Sequence, residues 1–352
     1  MKKRFWIHDL GSVSFYLGMN IEPNREHHTI DIHQHSYIRM ILVKFRTDKS
    51  RPVTTPMVMK LHRRKQNEES CDPTIYQSVI GSVMYPMTAT RHDIAYAIGV
   101  LSRCNHDPSN EHMVALKRMF GYLNSTKNWR LRFGGAFGAA VDWRSRNQKS
   151  TAQSTTDAEY YAFGVGCMWL TQISHLLNEL GIPTIPHVFS DWQSLIASIE
   201  NRINRGTAVA HIVTKYYHAA DMARDREIDL SYVPTAEMLA NCFTKPLPKP
   251  AFLKQFAAIG MIVIGLGNGL GIGIGNGLGN GLRTIGNGLG NGHRNGIGSG
   301  KGIGNAVGMK LIDWECLFRG DPCYLIGSSS LLFTVLFETD VIAVLEECWA
   351  DW

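Results

Sequence analysis

The first part of the chain changes from a strand-like to a helical arrangement of hydrophobic positions. Residues 14–22 and 29–33 carry alternating or β-rich residues on either side of the turn-prone Pro-Asn-Arg-Glu at 23–26. This arrangement predicts a β-hairpin. Apolar residues then recur at helical spacing. The predicted helices lie at 36–45, as a pair within 74–103, and at 110–123 after the start signal Asp107-Pro-Ser109.

Short apolar stretches alternate with helical patterns in the middle of the chain. Ser154-Thr-Thr-Asp157 has the form of a helix-capping box, and Asp191 can cap a later helix. The predicted strands lie at 129–133, 139–143, 187–190 and 228–233, and the predicted helices at 154–180, 191–199 and 235–243. The fold class expected is therefore α/β, with an α+β region first.

Glycine dominates the sequence that follows. Residues 261–308 repeat Gly-Asn-Gly-Leu, so they offer few side chains to bury and are expected to form a flexible linker. Gly298-Ser-Gly-Lys-Gly302 is not a phosphate loop, since no Ser or Thr follows Lys301. The last segment, 309–352, is expected to form a small helix or to stay loosely ordered. The predicted division of the chain is 1–130, 131–260, 261–308 and 309–352.

Composition adds a basic region and excludes some classes of protein. The net charge is +6, and residues 1–65 hold 13 Lys and Arg against 5 Asp and Glu. The densest cluster, Lys60, Arg63, Arg64 and Lys65, could neutralise the phosphates of a nucleic acid; a solvated loop is the alternative. The longest apolar run, 331–337, is too short for a membrane span.

Seven cysteines without repeated spacing do not indicate disulfides or a paired zinc site. The expected location is therefore the cytoplasm or nucleus, and no small-molecule substrate is evident.

Five phrases in the first part of the chain resemble the end of the reverse transcriptase in copia-type retrotransposon Pol polyproteins. They begin at Asp9, Gln34, Pro52, Tyr76 and Thr88 and read DLGSVSFYLG, QHSYI, PVTTPM, YQSVIGSVMY and TATRHDIAYA. The family's order and spacing are kept. One departure is His92, where the family usually has proline. The resemblance implies that residues 1–130 form a palm end with a thumb-like region.

The resemblance continues into the family's ribonuclease H domain, here 131–260. The phrases begin at Trp143, Ser154, Ser190, His211 and Phe243 and read WRSRNQ, STTDAEY, SDWQS, HIVTKYYH and FTKPL. The two matches together cover about residues 1–258. Residues beyond them match nothing in the family.

The resemblance implies two Mg²⁺-dependent reactions and also shows what this chain lacks for each. Polymerisation in the family uses an Asp-Asp pair, and no such dipeptide occurs in the chain. Ribonuclease H uses two Mg²⁺ ions held by about four carboxylates. Glu159 matches the first-helix carboxylate and Asp191 the one after the fourth strand. The alternative interpretations are an ordinary surface glutamate for Glu159 and an ordinary helix cap for Asp191.

The two remaining carboxylate positions are altered. Asn241 stands where the family has its last carboxylate, and an amide contributes no charge to a metal site. The family's first two strands, the first of which carries a carboxylate, are missing between Gly135 and Trp143. Their loss predicts a strand at 139–143 without neighbours and with unpaired backbone groups. Asp142 is more simply solvent-facing than a replacement acid.

His211 and His218, with Tyr216 and Tyr217, could touch substrate or metal. Packing is the simpler interpretation, because no Cys or His cluster accompanies them.

These observations favour an inactive retroelement fragment with at most weak, salt-sensitive binding to RNA–DNA hybrid or other nucleic acid. One alternative is a residual ribonuclease H with an altered Mg²⁺ site. Another is a host-adopted interaction module in which the glycine-rich linker presents 309–352.

Overall fold

The computed structural model shows helices packed with two sheets. It describes residues 11–57, 64, 67–134, 139–145, 155–181, 185–200, 214–263, 323–326 and 334–337. The strands in this part of the chain are β1 Phe15–Tyr16, β2 Met19–Asn24, β3 Thr29–His33, β4 Trp129–Gly134, β5 Ala139–Ala140, β6 His187–Ser190, β7 Asp229–Tyr232, β8 Met261–Val263, β9 Cys323–Ile326 and β10 Thr334–Phe337. The helices are α1 His35–Lys44, α2 Pro73–Ala89, α3 Ala95–Leu101, α4 Asn110–Ser125, α5 Thr155–Glu179, α6 Gln193–Glu200, α7 Thr214–Arg224 and α8 Lys249–Ala258.

The first sheet is antiparallel, with the order β1-β2-β3-β4-β8. The hairpin predicted from 14–33 is confirmed as β2 and β3, whose register joins Ile21 to Ile32. The predicted first strand is interrupted, because Leu17 and Gly18 both adopt positive φ angles and turn the chain between β1 and β2.

The helices predicted for the first region are confirmed as α1 to α4. Their starts follow local chemistry: the Asp72 carboxylate accepts a hydrogen bond from the Thr74 N–H at the beginning of α2. At the beginning of α4, Ser109 and His112 exchange the two hydrogen bonds of a capping box. Helices α2 and α4 both pack against α1.

The second sheet has the order β5-β10-β9-β6-β7. Strand β9 is parallel to β6, β6 is parallel to β7, and β10 is antiparallel to both β9 and β5. Two of the five strands therefore come from the segment that follows the glycine-rich repeat.

This topology corrects two expectations. The expectation that the strand at 139–143 has no neighbours was wrong, because Ala139 and Ala140 pair with Phe337 and Leu336 of β10. The expectation of a small helix or loose order for 309–352 was also wrong where the structure describes that segment, since β9 and β10 are paired strands. A backbone with free donors and acceptors at a sheet edge is stabilised by such pairing.

Other differences concern boundaries and missed elements. Helix α6 begins at Gln193, and the Trp192 carbonyl oxygen accepts its first backbone hydrogen bonds. The cap is therefore Trp192, one residue after the predicted cap Asp191. Helices α7 and α8 and strand β8 were not predicted. The expected helix at 235–243 is a 3₁₀ helix, Leu239–Phe243. Ser154 and most of the glycine-rich repeat lie outside the described residues.

Two hydrophobic clusters hold these elements together. The larger one joins α1–α4 to residues from much later in the chain, including Trp143, Phe243 and Phe256. The smaller one lies between α5, α6 and α7 and includes Phe163, Leu195 and Ala220. Strand β8 pairs with β4 in the first sheet. The predicted division of the chain at residues 130 and 131 stays a prediction.

Among the described residues, no helix combines the length and the apolar content needed to cross a membrane.

Candidate functional site

The two carboxylates expected to be catalytic lie on elements that flank the second sheet. Glu159 is on α5 and is only 3% exposed, so its interpretation as a surface glutamate is wrong. Asp191 directly follows β6, and its Oδ1 is buried without a hydrogen-bond partner in the described part of the chain. Ser190, just before it, uses its hydroxyl oxygen to accept the Trp192 N–H at 3.2 Å.

The strand beside β6 determines which side chains can approach Asp191 from that direction. In β9, Cys323 lies opposite His187 and Ile326 lies opposite Ser190. The sequence of β9 is Cys-Tyr-Leu-Ile, which contains no carboxylate. The neighbouring strand therefore brings no acid to the end of β6.

Asn241 occupies a position in the larger core. It lies in the 3₁₀ helix Leu239–Phe243, is 2% exposed, and donates from Nδ2 to the Thr235 carbonyl oxygen at 2.6 Å. The amide is thus held by the backbone of its own loop. This contact needs an N–H donor, which the carboxylate of an aspartate does not have.

Metal-binding side chains do not cluster in the part of the chain that the structure describes. Within those ranges, no group of three or more His, Cys, Asp and Glu side chains is arranged to hold a metal ion. Asp142 has local partners: its Oδ1 accepts the Trp143 N–H at 2.9 Å, and its Oδ2 lies 3.5 Å from Arg144 Nε. His211 lies outside the described residues, as do the side chains of Tyr216, Tyr217 and His218.

Of the four basic residues predicted to contact nucleic acid, the structure describes only Arg64. Arg64 Nε lies 2.7 Å from Asp107 Oδ1, and Arg64 Nη1 donates to the Glu68 carbonyl oxygen. Its charge is therefore partly neutralised within the protein. Lys60, Arg63 and Lys65 lie outside the described residues.

A second group of cations was missed in the sequence. Arg46, Arg51, Lys117 and Arg118 line one concave surface, although about 70 residues separate the two pairs along the chain. The only sequence signal for it is the apolar and cationic spacing of Val114, Lys117 and Arg118 on one face of α4.

Comparison with known proteins identifies the family. The chain is 31% identical over 304 residues to the retrovirus-related Pol polyprotein of transposon TNT 1-94 from Nicotiana tabacum, covering 74% of this chain and 22% of the relative. It is 28% identical over 297 residues to the Pol polyprotein of transposon RE1 from Arabidopsis thaliana, covering 74% of this chain and 20% of the relative.

A shorter relative is the secreted RxLR effector protein 161 of Plasmopara viticola, 35% identical over 129 residues, with 27% of this chain and 91% of the relative covered. No protein-family model matches the chain, and no solved structure matches it.

The chain belongs to the retrotransposon Pol polyproteins of the copia type. It corresponds to a segment of them, since it spans about a fifth of the length of the two Pol relatives.

Proposed function

We propose that this chain is a catalytically inactive Pol fragment that binds nucleic acid weakly through its positive charge. The main support for inactivity is the pairing of β9 with β6. Strand β9 lies next to the end of β6, where Asp191 follows, and its sequence contains no Asp or Glu. Two-metal hydrolysis needs several carboxylates around one point.

The described residues do not fit a two-Mg²⁺ centre. Glu159 and Asp191 remain, but Asn241 is neutral and its amide is bonded to Thr235. A pair of carboxylates without further acids neutralises too little charge to hold two divalent ions close together.

Nucleic-acid binding is supported by the relationship to Pol polyproteins and by the excess of Lys and Arg in residues 1–65. Binding of this kind is sequence-independent and weakens as salt rises, because it depends on the release of counterions from phosphates.

Residual ribonuclease H activity is the second candidate, and one observation favours it. The Oδ1 atom of Asp191 is buried without a hydrogen bond in the described ranges, and a cation is one partner that would satisfy it. The interaction-module alternative is not favoured, because β9 and β10 are paired within the chain's own sheet rather than presented on a linker.

The test uses the purified full chain, a fluorescent RNA–DNA hybrid and either Mg²⁺ or Mn²⁺. Binding is followed by anisotropy and cleavage by gel electrophoresis on the same samples. The expected result is salt-sensitive binding with no cleavage above a sample containing a chelator. Cleavage that Glu159→Ala abolishes would establish the second candidate, and absence of any binding would remove the nucleic-acid part of the proposal.

A further inference from the structure

A concave surface with four cationic side chains lies on the first region, and neither β6 nor Asp191 contributes to its lining. It has a volume of about 510 Å³ and lies between the end of α1, the loop that follows it and one face of α4. Its cations are Arg46, Arg51, Lys117 and Arg118. Polar hydroxyl groups of the loop and a few apolar side chains complete the lining.

Helix α4 contributes one continuous face to this surface. Val114, Lys117, Arg118 and Gly121 are spaced at i, i+3, i+4 and i+7, so all four lie on the same side of the helix. The opposite side of α4 is buried in the larger core through residues such as Leu116 and Leu123. The cationic face is therefore fixed in orientation by the packing of the helix.

The loop is held against α4 at several points. The Asn124 amide donates to the Asp48 carbonyl oxygen at 2.9 Å, and the Ser125 hydroxyl donates to the Val53 carbonyl oxygen at 2.7 Å. Close approach also depends on Gly121, because a Cβ at that position would lie 2.7 Å from the Arg51 carbonyl oxygen. These hydrogen bonds position Arg51 beside the cations of α4 before any ligand arrives.

Arg46 occupies a backbone conformation that normally selects glycine. Its φ is 55°, at the position after the cap of α1, where its N–H bonds to the Val43 carbonyl oxygen and the Thr47 N–H bonds to that of Leu42. This is the pattern of a glycine-terminated helix end. This turn places Arg46 in the loop that lines the concave surface.

The four cations have no carboxylate within ion-pairing distance in the described part of the chain, whereas Arg64, Arg91 and Arg132 do. Arg118 Nη2 donates to the Thr55 hydroxyl at 3.1 Å, but its buried Nε has no acceptor among the described residues. Like charges held together repel one another, and an anion placed between them removes that repulsion.

We infer that this surface, which we call the α4 basic pocket, binds backbone phosphates of a nucleic acid. The inference rests on the proposed function and assigns the binding to Arg46, Arg51, Lys117 and Arg118 in place of Lys60–Lys65. Arginine and lysine from two elements, the loop after α1 and helix α4, line the pocket, and both side chains bind phosphate oxygens.

The first test neutralises two exposed cations of the pocket. Arg51→Gln/Lys117→Gln is compared with Arg226→Gln/Lys254→Gln, which removes the same charge from exposed positions outside both the pocket and residues 1–65. Anisotropy with a labelled RNA–DNA hybrid should show binding weakened about tenfold at 0.1 M salt for the pocket pair. The slope of log affinity against log salt should fall by about 0.9 for each phosphate that is no longer neutralised. The control pair should stay within about twofold of the parent.

A second pair of variants separates binding from folding. Arg226 is also exposed and also has a positive φ, 60°, so Arg46→Gly and Arg226→Gly make the same change in the same backbone conformation. Neither should lower the thermal unfolding midpoint. Only Arg46→Gly should weaken binding, by about threefold to fivefold at 0.1 M salt, because one arginine–phosphate interaction is removed.

The outcomes distinguish the two proposals. If the parent chain binds the hybrid and both charge pairs have equal effects, the α4 basic pocket is wrong while nucleic-acid binding stands. Loss of binding only on neutralising Lys60–Lys65 would lead to the same conclusion. A parent chain that does not bind overturns both proposals. Inorganic phosphate at millimolar concentration is also tested as a competitor of the hybrid. If phosphate binds the pocket as tightly, per site, as the hybrid does, the pocket is a site for free anions and the assignment to nucleic acid is wrong.

Discussion

Ile326 pairs with Ser190 in parallel register, which places the last residue of β9 beside the residue that immediately precedes Asp191. The strand next to β6 thus comes from the segment beyond the glycine-rich repeat. It completes the backbone pairing of the second sheet but carries no acid toward Asp191. The same strand therefore completes the sheet and leaves the end of β6 without an acid from that side.

Restoring a carboxylate at residue 241 should not restore activity. Asn241→Asp replaces the Nδ2 donor to Thr235 with an acceptor, so the two oxygens would face each other in a buried position. We expect a loss of about 1–3 kcal/mol in the free energy of unfolding, measured with urea. Hybrid cleavage should stay at the level of the parent chain. Metal-dependent cleavage by Asn241→Asp would show that one acid was the only missing part.

His92 should make the fold sensitive to mild acid. Its ring is fully buried, contacts Trp143, Phe243 and Phe256, and has no hydrogen bond to either nitrogen within the described residues. Burial lowers the pKa of His92 from 6.5 to about 4, although the charge of Asp93 opposes this shift.

The unfolded chain therefore binds a proton on His92 at a higher pH than the folded chain does. Above pH 6.5 the neutral His92 ring causes no loss of stability. As the pH drops from 6.5 to 4, the free energy of unfolding decreases by about 3 kcal/mol in total. His92→Phe should remove this part of the pH dependence in urea titrations at several pH values. His92→Leu should remove it too, with a lower plateau from poorer packing. An unchanged slope in both variants would contradict the assignment.

Asp93 should be essential to the larger core. Its carboxylate receives two hydrogen bonds from the fully buried Arg91, at 2.9 and 2.7 Å, and one from the Tyr122 hydroxyl at 2.5 Å. Burial opposes ionisation of Asp93, but the charge of Arg91 and these hydrogen bonds together lower its pKa.

Asp93→Asn leaves the Arg91 charge buried without a counter-ion and should reduce the free energy of unfolding by about 3–5 kcal/mol. Tyr122→Phe keeps the ion pair and should cost about 1.5–3 kcal/mol. The two changes should not be additive, because they act on the same carboxylate. Equal, small effects in urea unfolding would argue against a buried network.

Two helical glycines should respond oppositely to alanine. At Gly121 a Cβ would lie 2.7 Å from the Arg51 carbonyl oxygen, whereas at Gly81 in α2 nothing lies within 4 Å. Gly81→Ala should stabilise the fold by about 0.5–1 kcal/mol through helix propensity. Gly121→Ala should destabilise it, because the loop must move away from α4. Thermal unfolding of the two variants checks this, and the same sign for both would contradict the packing of the loop.

Local patterns were sufficient for the elements of the first region. Helices α1 to α4 and the hairpin β2–β3 have clear periodicity, and the cap at Ser109 was readable. Helix α7 was missed because it buries Ala219 and Ala220, which give a weak hydrophobic signal. The pairing of Ala140 with Leu336 joins residues far apart in sequence, and no local pattern contains that information.

The candidate site residues were taken from sequence motifs, and their surroundings could not be predicted in that way. Glu159, Asp191 and Asn241 followed from motifs, whereas the burial of Glu159 and the bond from Asn241 to Thr235 depend on tertiary packing. The basic run at 60–65 is a local cluster and is visible in the sequence. The α4 basic pocket could not be found in the same way, since the fold alone brings Arg51 to Lys117.

The completion of the second sheet by β9 and β10 is tested most directly by amide hydrogen exchange in the full chain. Leu325→Pro removes a backbone donor from the centre of β9 and disrupts its pairing, while Ile285→Pro makes the same change within the glycine-rich repeat. We predict faster exchange at residues 187–190 and 139–140 in Leu325→Pro and parent-like exchange in Ile285→Pro. Equal protection of both stretches in the two variants would contradict this pairing.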